Sequence, residues 1–432
     1  MSKSLLEKLK EHSVSPYHMP GHKRQAIAEG LPYDIDITEI EGFDNLHCMQ
    51  GILKETAQNA KSLYKSCESF PLVNGSTCGV LAGIYSMTRE NKNILIARNC
   101  HKSVYHAVEV LGLNATYIMP EALKLGIMGK VTPQSVEEAI KNTDIGSVVI
   151  TSPTYEGVIS DVAGIYKVCK EHGVLLFVDC AHGAHFIDEL VPCDICVMSL
   201  HKTLPSLTQT ALLHIYSDRI DADVVRHGLS IFETSSPSYV LLASIDECLR
   251  YVAENKKDFK ELSGNLAYFY EKAVALDNIR VFHFDDAGKI IISATDAQDL
   301  AHRLRQHNIE VEMVSEHYVM AMVTIADKLN DFQILLRALY RIDKTLPPYK
   351  ICEISELTLP EKGEDFGESE FLDIGKCEGK VSKEYIWAYP PGVPVIAPVE
   401  VFDSQIIKYL KSKKDLKSTK GKFPEICVKK EN

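Results

Sequence analysis

From about residue 51 the chain alternates between stretches with apolar residues on one helical face and short, nearly continuous Val/Ile/Leu runs. GILKETAQNAKSLYKS (51–66) reads as a helix, and Asn74-Gly75-Ser76-Thr77-Cys78-Gly79 opens another that continues through VLAGIYSMTRE (80–90). NILIA (93–97) is then a buried strand, HKSVYHAVEVLG (101–112) a helix, ATYIM (115–119) a strand and TPQSVEEAIKN (132–142) a capped helix. SVVITS (147–152) is a strand, VAGIYKVCKEHG (162–173) a helix, and VLLFVD (174–179), ICVMS (195–199) and ALLHIY (211–216) are further strands. Helices alternating with apolar strands predict an α/β fold built on a mostly parallel, doubly wound sheet.

Past residue 255 the order changes to a helix (256–276), two strands (278–284, 289–294), a helix (297–308), two strands (309–314, 318–325) and a helix (331–346). That pattern predicts a smaller α+β unit. Residues 1–16 read as a short helix, whereas 17–50 are irregular, broken at Pro16, Pro20-Gly21 and Pro32. The expected organisation is an N-terminal arm (1–50), a large domain (51–255) and a small C-terminal domain (256–432). Near its end Tyr389-Pro390-Pro391-Gly392-Val393-Pro394 suggests a rigid loop. The lysine-rich tail from Lys408 to Lys430 suggests a solvated helix with a frayed end.

Composition narrows the function classes. The 432-residue chain is 45% hydrophobic and 25% charged, as soluble globular proteins are. A net charge of −12 argues against a nucleic-acid surface. No apolar stretch is long enough to span a bilayer, and the N-terminus lacks a secretory pattern, so a cytoplasmic location is expected. The 12 cysteines are scattered and often lie in apolar runs, which suggests reduced thiols. Cys193 and Cys196 have metal or redox spacing, but no second pair accompanies them, and structural thiols are the better reading. No metal site is expected.

The chemistry concentrates at strand ends. On open α/β sheets, ligands sit beyond the carboxyl ends of the strands. Asn74, His101, Ser152, Asp179 and the run from Ser199 to Lys202 all fall there. A carboxylate after one buried strand and a lysine after the next suit pyridoxal phosphate (PLP): the amine condenses with the cofactor aldehyde, and the aspartate keeps the pyridine nitrogen protonated. Gly75-Ser76-Thr77 at a helix start suits a phosphate, or else forms an ordinary helix cap. His101 could stack on a flat ring or cap the following helix. Ser199 and His201 could add phosphate contacts.

Several segments together resemble the PLP-dependent ornithine/lysine/arginine decarboxylases of the aspartate-aminotransferase fold type. They are YHMPGHK (17–23), TEIEGFDNLH (38–47), NGSTCG (74–79), RNCHKS (98–103), TSPTYEG (151–157), DCAHGAH (179–185), SLHKTLPSLTQ (199–209) and AYPPGVP (388–394). They run in family order over nearly the whole chain. The resemblance implies Lys202 as the lysine that carries the cofactor, Asp179 as the pyridinium partner, His101 stacked on the ring and His182 beside its 3′-oxygen. Ser76, Thr77, Ser199 and His201 would hold the phosphate. The segment with Ser235 and Ser236 would reach the neighbouring subunit's phosphate, making a homodimer, or a higher oligomer with shared sites, the active unit. The chain resembles the short form, without an N-terminal wing domain. It departs from the family pattern at Leu200, where Thr is common, at Cys180, and at Val399, where glycine usually precedes Glu400.

The reaction implied is loss of CO2 from a small basic amino acid to give a polyamine-type amine. Glu41, Asp44, Glu384 and Glu400 are candidates to read the substrate's distal cation, or are solvated and capping residues. The alternatives are another enzyme of the same fold, an aminotransferase or desulfurase-type lyase, and a non-catalytic PLP-binding protein. An aminotransferase usually needs an arginine on the substrate α-carboxylate, and no arginine stands in an evident motif for that task.

Overall fold

A computed structural model describes residues 3–350, 358–363, 368–388, 393–412, 416–420 and 424–430. The first helix, α1 (Leu5–Glu11), starts in a reciprocal cap: Ser4 accepts from the Glu7 N–H while Glu7 accepts from the Ser4 N–H. Residues 17–50 hold only one short 3₁₀ turn, Leu46–Cys48. Then follow α2 (Ile52–Tyr64), β1 (Glu68–Leu72), α3 (Gly75–Met87), β2 (Asn93–Ala97), α4 (Lys102–Leu111), β3 (Asn114–Ile118) and α5 (Pro133–Asn142). Next come β4 (Ser147–Thr151), α6 (Val162–Glu171), β5 (Leu175–Asp179), β6 (Ile195–Ser199), α7 (Leu200–Thr203) and β7 (Ala211–Ile215). Two longer helices, α8 (Ala222–Phe232) and α9 (Tyr239–Glu254), complete this part.

Seven strands form one sheet in the order β1-β7-β6-β5-β4-β2-β3. β7 alone runs opposite, pairing antiparallel with both β1 and β6. The apolar runs are continuous because strands such as β6 and β7 are buried on both faces. Helix α3 lies directly on the sheet. A Cβ at Gly83 would come within 2.3 Å of the Phe177 ring, and one at Gly79 within 2.8 Å of Val197, so hydrogen alone fits at both. Pattern reading passed over β1, α8 and α9.

A second core belongs to α10 (Lys257–Ala273), β8 (Arg280–Phe282), β9 (Lys289–Ser293), α11 (Ala297–Gln306), β10 (Met313–Val314), β11 (Val319–Met322) and α12 (Leu329–Asp343). Its antiparallel order is β10-β11-β9-β8. Ile290 and Ile292 pack with Phe269, Leu300 and Leu339. Ile291 faces the other way, with Met313 and Met320, onto Leu125, Ile127 and Val158 of the large sheet's loops. That two-sided burial accounts for the unbroken KIIIS run.

The last part comprises β12 (Ser369–Asp373), β13 (Ile386–Ala388), β14 (Val393–Ile396), α13 (Ser404–Ser412), β15 (Leu416–Ser418) and β16 (Glu425–Lys429). Residues 389–392 of the expected rigid loop lie outside the described residues. This part has a separate core that includes Ile374, Ile386, Phe402, Leu410, Ile426 and Val428, so two cores lie within 256–432. Of the tail expected from Lys408, the start is helical in α13, but the described end is not frayed: β16 pairs with β12 and buries Ile426 and Val428 completely. The continuous apolar run Ile426-Cys427-Val428, buried throughout, outweighs the flanking lysines. Among the described residues no helix is long and apolar enough to cross a membrane.

One ion pair ties this last part to the large sheet. Arg98, just after β2, donates to both oxygens of Glu400 at 2.8 Å and to the Val395 carbonyl at 2.9 Å. Its guanidinium also lies over the Tyr117 ring, 5.0 Å from the centroid. Val399, the departure from glycine, takes a left-handed φ of +73° to present Glu400. Both partners are almost fully buried, and an unpaired charge there is costly. Glu400→Ala is therefore expected to destabilise the fold by about 3–5 kcal/mol. The check is its thermal unfolding midpoint against that of an Arg98→Met/Glu400→Leu double variant, which should lose less.

Candidate active site

Parallel pairing brings the ends of β4, β5 and β6 to one edge, with Thr151 opposite Asp179 and Asp179 opposite Val197. β6 runs on to Ser199, and α7 starts at once, so Lys202 sits within one helical turn of the strand end. The loop after β5 is stitched to β6: the Cys180 N–H donates to the Val197 carbonyl, and the Ser199 N–H to the Ala181 carbonyl. This stitching brings His182 beside α7, where its Nε2 lies 3.2 Å from Lys202 Nζ. Asp179 is 3% exposed, and its Oδ1 accepts the Ala181 N–H at 3.0 Å.

Burial governs the charges. It pushes the Asp179 carboxyl up, against the pull of Lys202 and the Ala181 N–H. It pulls the Lys202 ammonium down; Asp179 and Glu312 oppose that, and Lys289 adds to it. Burial, with Lys202 and Lys289, holds His182 well below the ordinary imidazole range. His101 is lowered to about 4 by burial, then by Lys202 and Lys102. The site thus pairs one amine and one carboxylate among neutral imidazoles.

His101 caps α4: its Nδ1 accepts the Ser103 N–H and lies 2.9 Å from Ser103 Oγ. This is the capping arrangement, and it leaves the ring at the sheet edge. Gly75, with φ +73°, donates its N–H to the Gln209 carbonyl at 2.8 Å. Asn74 makes no side-chain cap, so the first-turn N–H groups of α3 around Ser76 and Thr77 have no side-chain acceptor at the cap, an arrangement that would suit an anion. Below them Glu233 accepts the Val73 N–H at 2.8 Å; burial raises its carboxyl to about 7. His201 Nδ1 lies 2.9 Å from the Thr210 carbonyl.

Among the described residues, Ser199 Oγ, Thr203 Oγ1 and His182 Nδ1 are buried without a hydrogen-bond partner. Buried polar atoms are nearly always paired, so these point to a missing group. An aldehyde-bearing pyridine with a phosphate fits the set: Lys202 for the aldehyde, Asp179 for the ring nitrogen, His101 and His182 for the ring, and Gly75, Ser76, Thr77, Ser199 and His201 for the phosphate.

Other candidates lie elsewhere. Glu400 is held by Arg98 and by the Ala397 N–H at 2.7 Å. Glu384 is 1% exposed and accepts the Cys427 and Lys420 N–H groups at 2.7 and 2.9 Å. Neither carboxylate is free for a substrate, which corrects the expectation for both. Asp44 accepts N–H groups from Asn45, Gln50 and Gly51 and so closes the turn into α2. Glu41 is exposed. Ser235 and Ser236 are exposed beyond α8, and the Thr234 carbonyl beside them lies 2.9 Å from His47 Nε2.

Sequence reading passed over Tyr155, Glu312, Asp286 and Lys289. The Tyr155 ring meets His182 edge-on at 4.8 Å, and its hydroxyl donates to Glu312. Asp286 lies 3.1 Å from Lys289 Nζ and 3.4 Å from His185 Nε2. Tyr155 falls in a family-like segment and could have been noticed. Glu312 lies in an ordinary strand-like run and gave no signal.

The sequence matches the family described as Orn/Lys/Arg decarboxylase, major domain, over residues 2–284, and the corresponding C-terminal domain over residues 365–425. It is 32% identical to the uncharacterized protein YaaO of Bacillus subtilis (strain 168), over 94% of this chain and 92% of that one. It is 28% identical to an arginine decarboxylase of Bacillus anthracis, over 94% of this chain and 91% of that one. The fold is similar to that of the Francisella novicida lysine decarboxylase LdcF, with a TM-score of 0.82 at 19% identity, over 99% of this chain and 80% of that one. A Sphingomonas wittichii serine palmitoyltransferase matches with a TM-score of 0.57 at 15% identity, over 68% of this chain and 77% of that one. The chain belongs to the Orn/Lys/Arg decarboxylase family.

Proposed function

We propose that this protein is a PLP-dependent decarboxylase that converts a basic amino acid, arginine, lysine or ornithine, to its amine and CO2. The observation that carries the reading is the juxtaposition of Lys202, His182 and Asp179 at one sheet edge, with buried hydroxyls and a ring nitrogen lacking partners around them. When bound, PLP supplies an aldehyde to capture the substrate amine and a ring that takes up the electron pair left by departing CO2.

The protein's own groups do the rest. Burial holds the Lys202 amine closer to its neutral, nucleophilic form. His182 Nε2, 3.2 Å away and held neutral, is placed to accept a proton from that amine or return one. Asp179 is a buried carboxylate at this sheet edge, and so favours a proton on the atom it faces. Arg98, a buried guanidinium just after β2, is fully engaged by Glu400 and the Val395 carbonyl. Relatives aligned over more than 90% of the chain include proteins named arginine decarboxylase, so arginine is the first substrate to test.

The active unit is a homodimer in this reading. Ser235 and Ser236 stand exposed where a neighbour's cofactor phosphate could meet them. Tyr17, Ile27 and Leu31 of the N-terminal arm are 97%, 74% and 56% exposed, an apolar surface suited to a second copy. The setting is the cytoplasm, with a polyamine-type product.

CO2 release from each basic amino acid by the cofactor-loaded protein is the primary assay, and release from none of the three would refute the reading. Lys202→Ala is expected to lose turnover and the visible absorbance of the bound cofactor. Asp179→Asn should keep the fold, read by circular dichroism, and lower kcat roughly a hundred- to a thousandfold, the usual effect of removing one preorganised electrostatic group.

A further inference from the structure

We propose that Glu312, steadied by the Tyr155 hydroxyl, reads the terminal cation of the substrate side chain; this rests on the decarboxylase reading above. The contacts run without a break from the amine to this carboxylate. Lys202 Nζ lies 3.2 Å from His182 Nε2, the Tyr155 ring packs edge-on against His182 at 4.8 Å, and the Tyr155 hydroxyl donates to Glu312 Oε1. A substrate whose amine takes the place where the Lys202 amine now stands would project its side chain out of the sheet edge. A chain of three or four carbons with its terminal nitrogen is about as long as a tyrosine ring with its hydroxyl, so a side chain lying along Tyr155 ends at Glu312.

The carboxylate is placed and not merely nearby. The Glu312 N–H donates to the Met320 carbonyl at 2.9 Å, which fixes its backbone against β11. Its charge is felt at Lys202, although the two stand on separately packed parts of the chain. Tyr155 occupies one of the four lone-pair sites of the carboxylate. The others remain to accept from an ammonium or, bidentately, from a guanidinium.

Other acidic groups near the site, and the two acidic candidates of the C-terminal part, are committed. Glu156 is buried and accepts the Tyr318 hydroxyl at 3.0 Å. Asp286 is paired with Lys289 and His185. Glu384 and Glu400 are held by backbone N–H groups and Arg98. Glu312 is exposed, so a substrate side chain can meet it from solvent.

The test uses cofactor-loaded protein with arginine, lysine and ornithine, and with norleucine, which has a comparable chain but an apolar end. Initial rates and titration of the cofactor's visible spectrum are measured for wild type, Glu312→Gln and Tyr155→Phe. Glu312→Gln should raise KM and the spectroscopic Kd for the preferred basic substrate ten- to a hundredfold, with the loss in KM rather than kcat. Its preference for that substrate over norleucine should narrow at least tenfold. Tyr155→Phe, which keeps the ring against His182, should shift the same quantities in the same direction by less. An unchanged preference in Glu312→Gln overturns this assignment while wild-type turnover of a basic amino acid leaves the decarboxylase reading standing. Failure of wild type to act on any basic amino acid removes that reading, and this one with it.

Discussion

The burial of one amine and one carboxylate at the same edge of a parallel sheet sets the conditions for every group around them. Neither Lys202 nor Asp179 would stay charged alone in so apolar a setting, because desolvation penalises an isolated ion by several kcal/mol. Each partly restores the other, and the Ala181 N–H adds to the support of the carboxylate. The same low-dielectric surroundings keep His101 and His182 neutral. A site of this kind is poised to exchange protons at neutral pH without large rearrangement.

The sheet itself supplies that burial. β4, β5 and β6 are adjacent and parallel, so their ends converge without any loop having to travel far. α3 lies close to them because Gly79 and Gly83 carry no side chain, which brings its N-terminus to the same edge. The hydrophobic core and the position of the α3 N-terminus are thus consequences of one packing arrangement.

Much of this was legible in the chain. VLLFVD and ICVMS announced their strands, and the acid and the lysine at their ends announced chemistry. Where reading failed, the missing information was long-range. β1 carries Pro71 in a short polar-apolar run and becomes a strand only by pairing with β7, well over a hundred residues later. Glu400 looked available to a substrate, but its partner Arg98 lies 302 positions away. The acidic letters of Glu384 and Glu312 are equivalent in sequence. Only the fold shows one enclosed by backbone N–H groups and the other set against Tyr155. The lysines of the tail concealed the short apolar run of β16, whose burial depends on pairing with the distant β12.

The two-faced character of β9 reaches further than packing. Ile290 and Ile292 point one way and Ile291 the other, while β11 aligns Met320 with Ile291 on one side and Met313 on the other. Sliding β10 against β11 by a single residue would turn its faces inside out. The acidic residue next to Met313 would then be carried away from the phenol that meets it. Chemical discrimination in this enzyme is in that sense indexed to strand alignment: a change in the length of the β10–β11 turn, remote from the lysine, would act as a ruler set to the wrong mark.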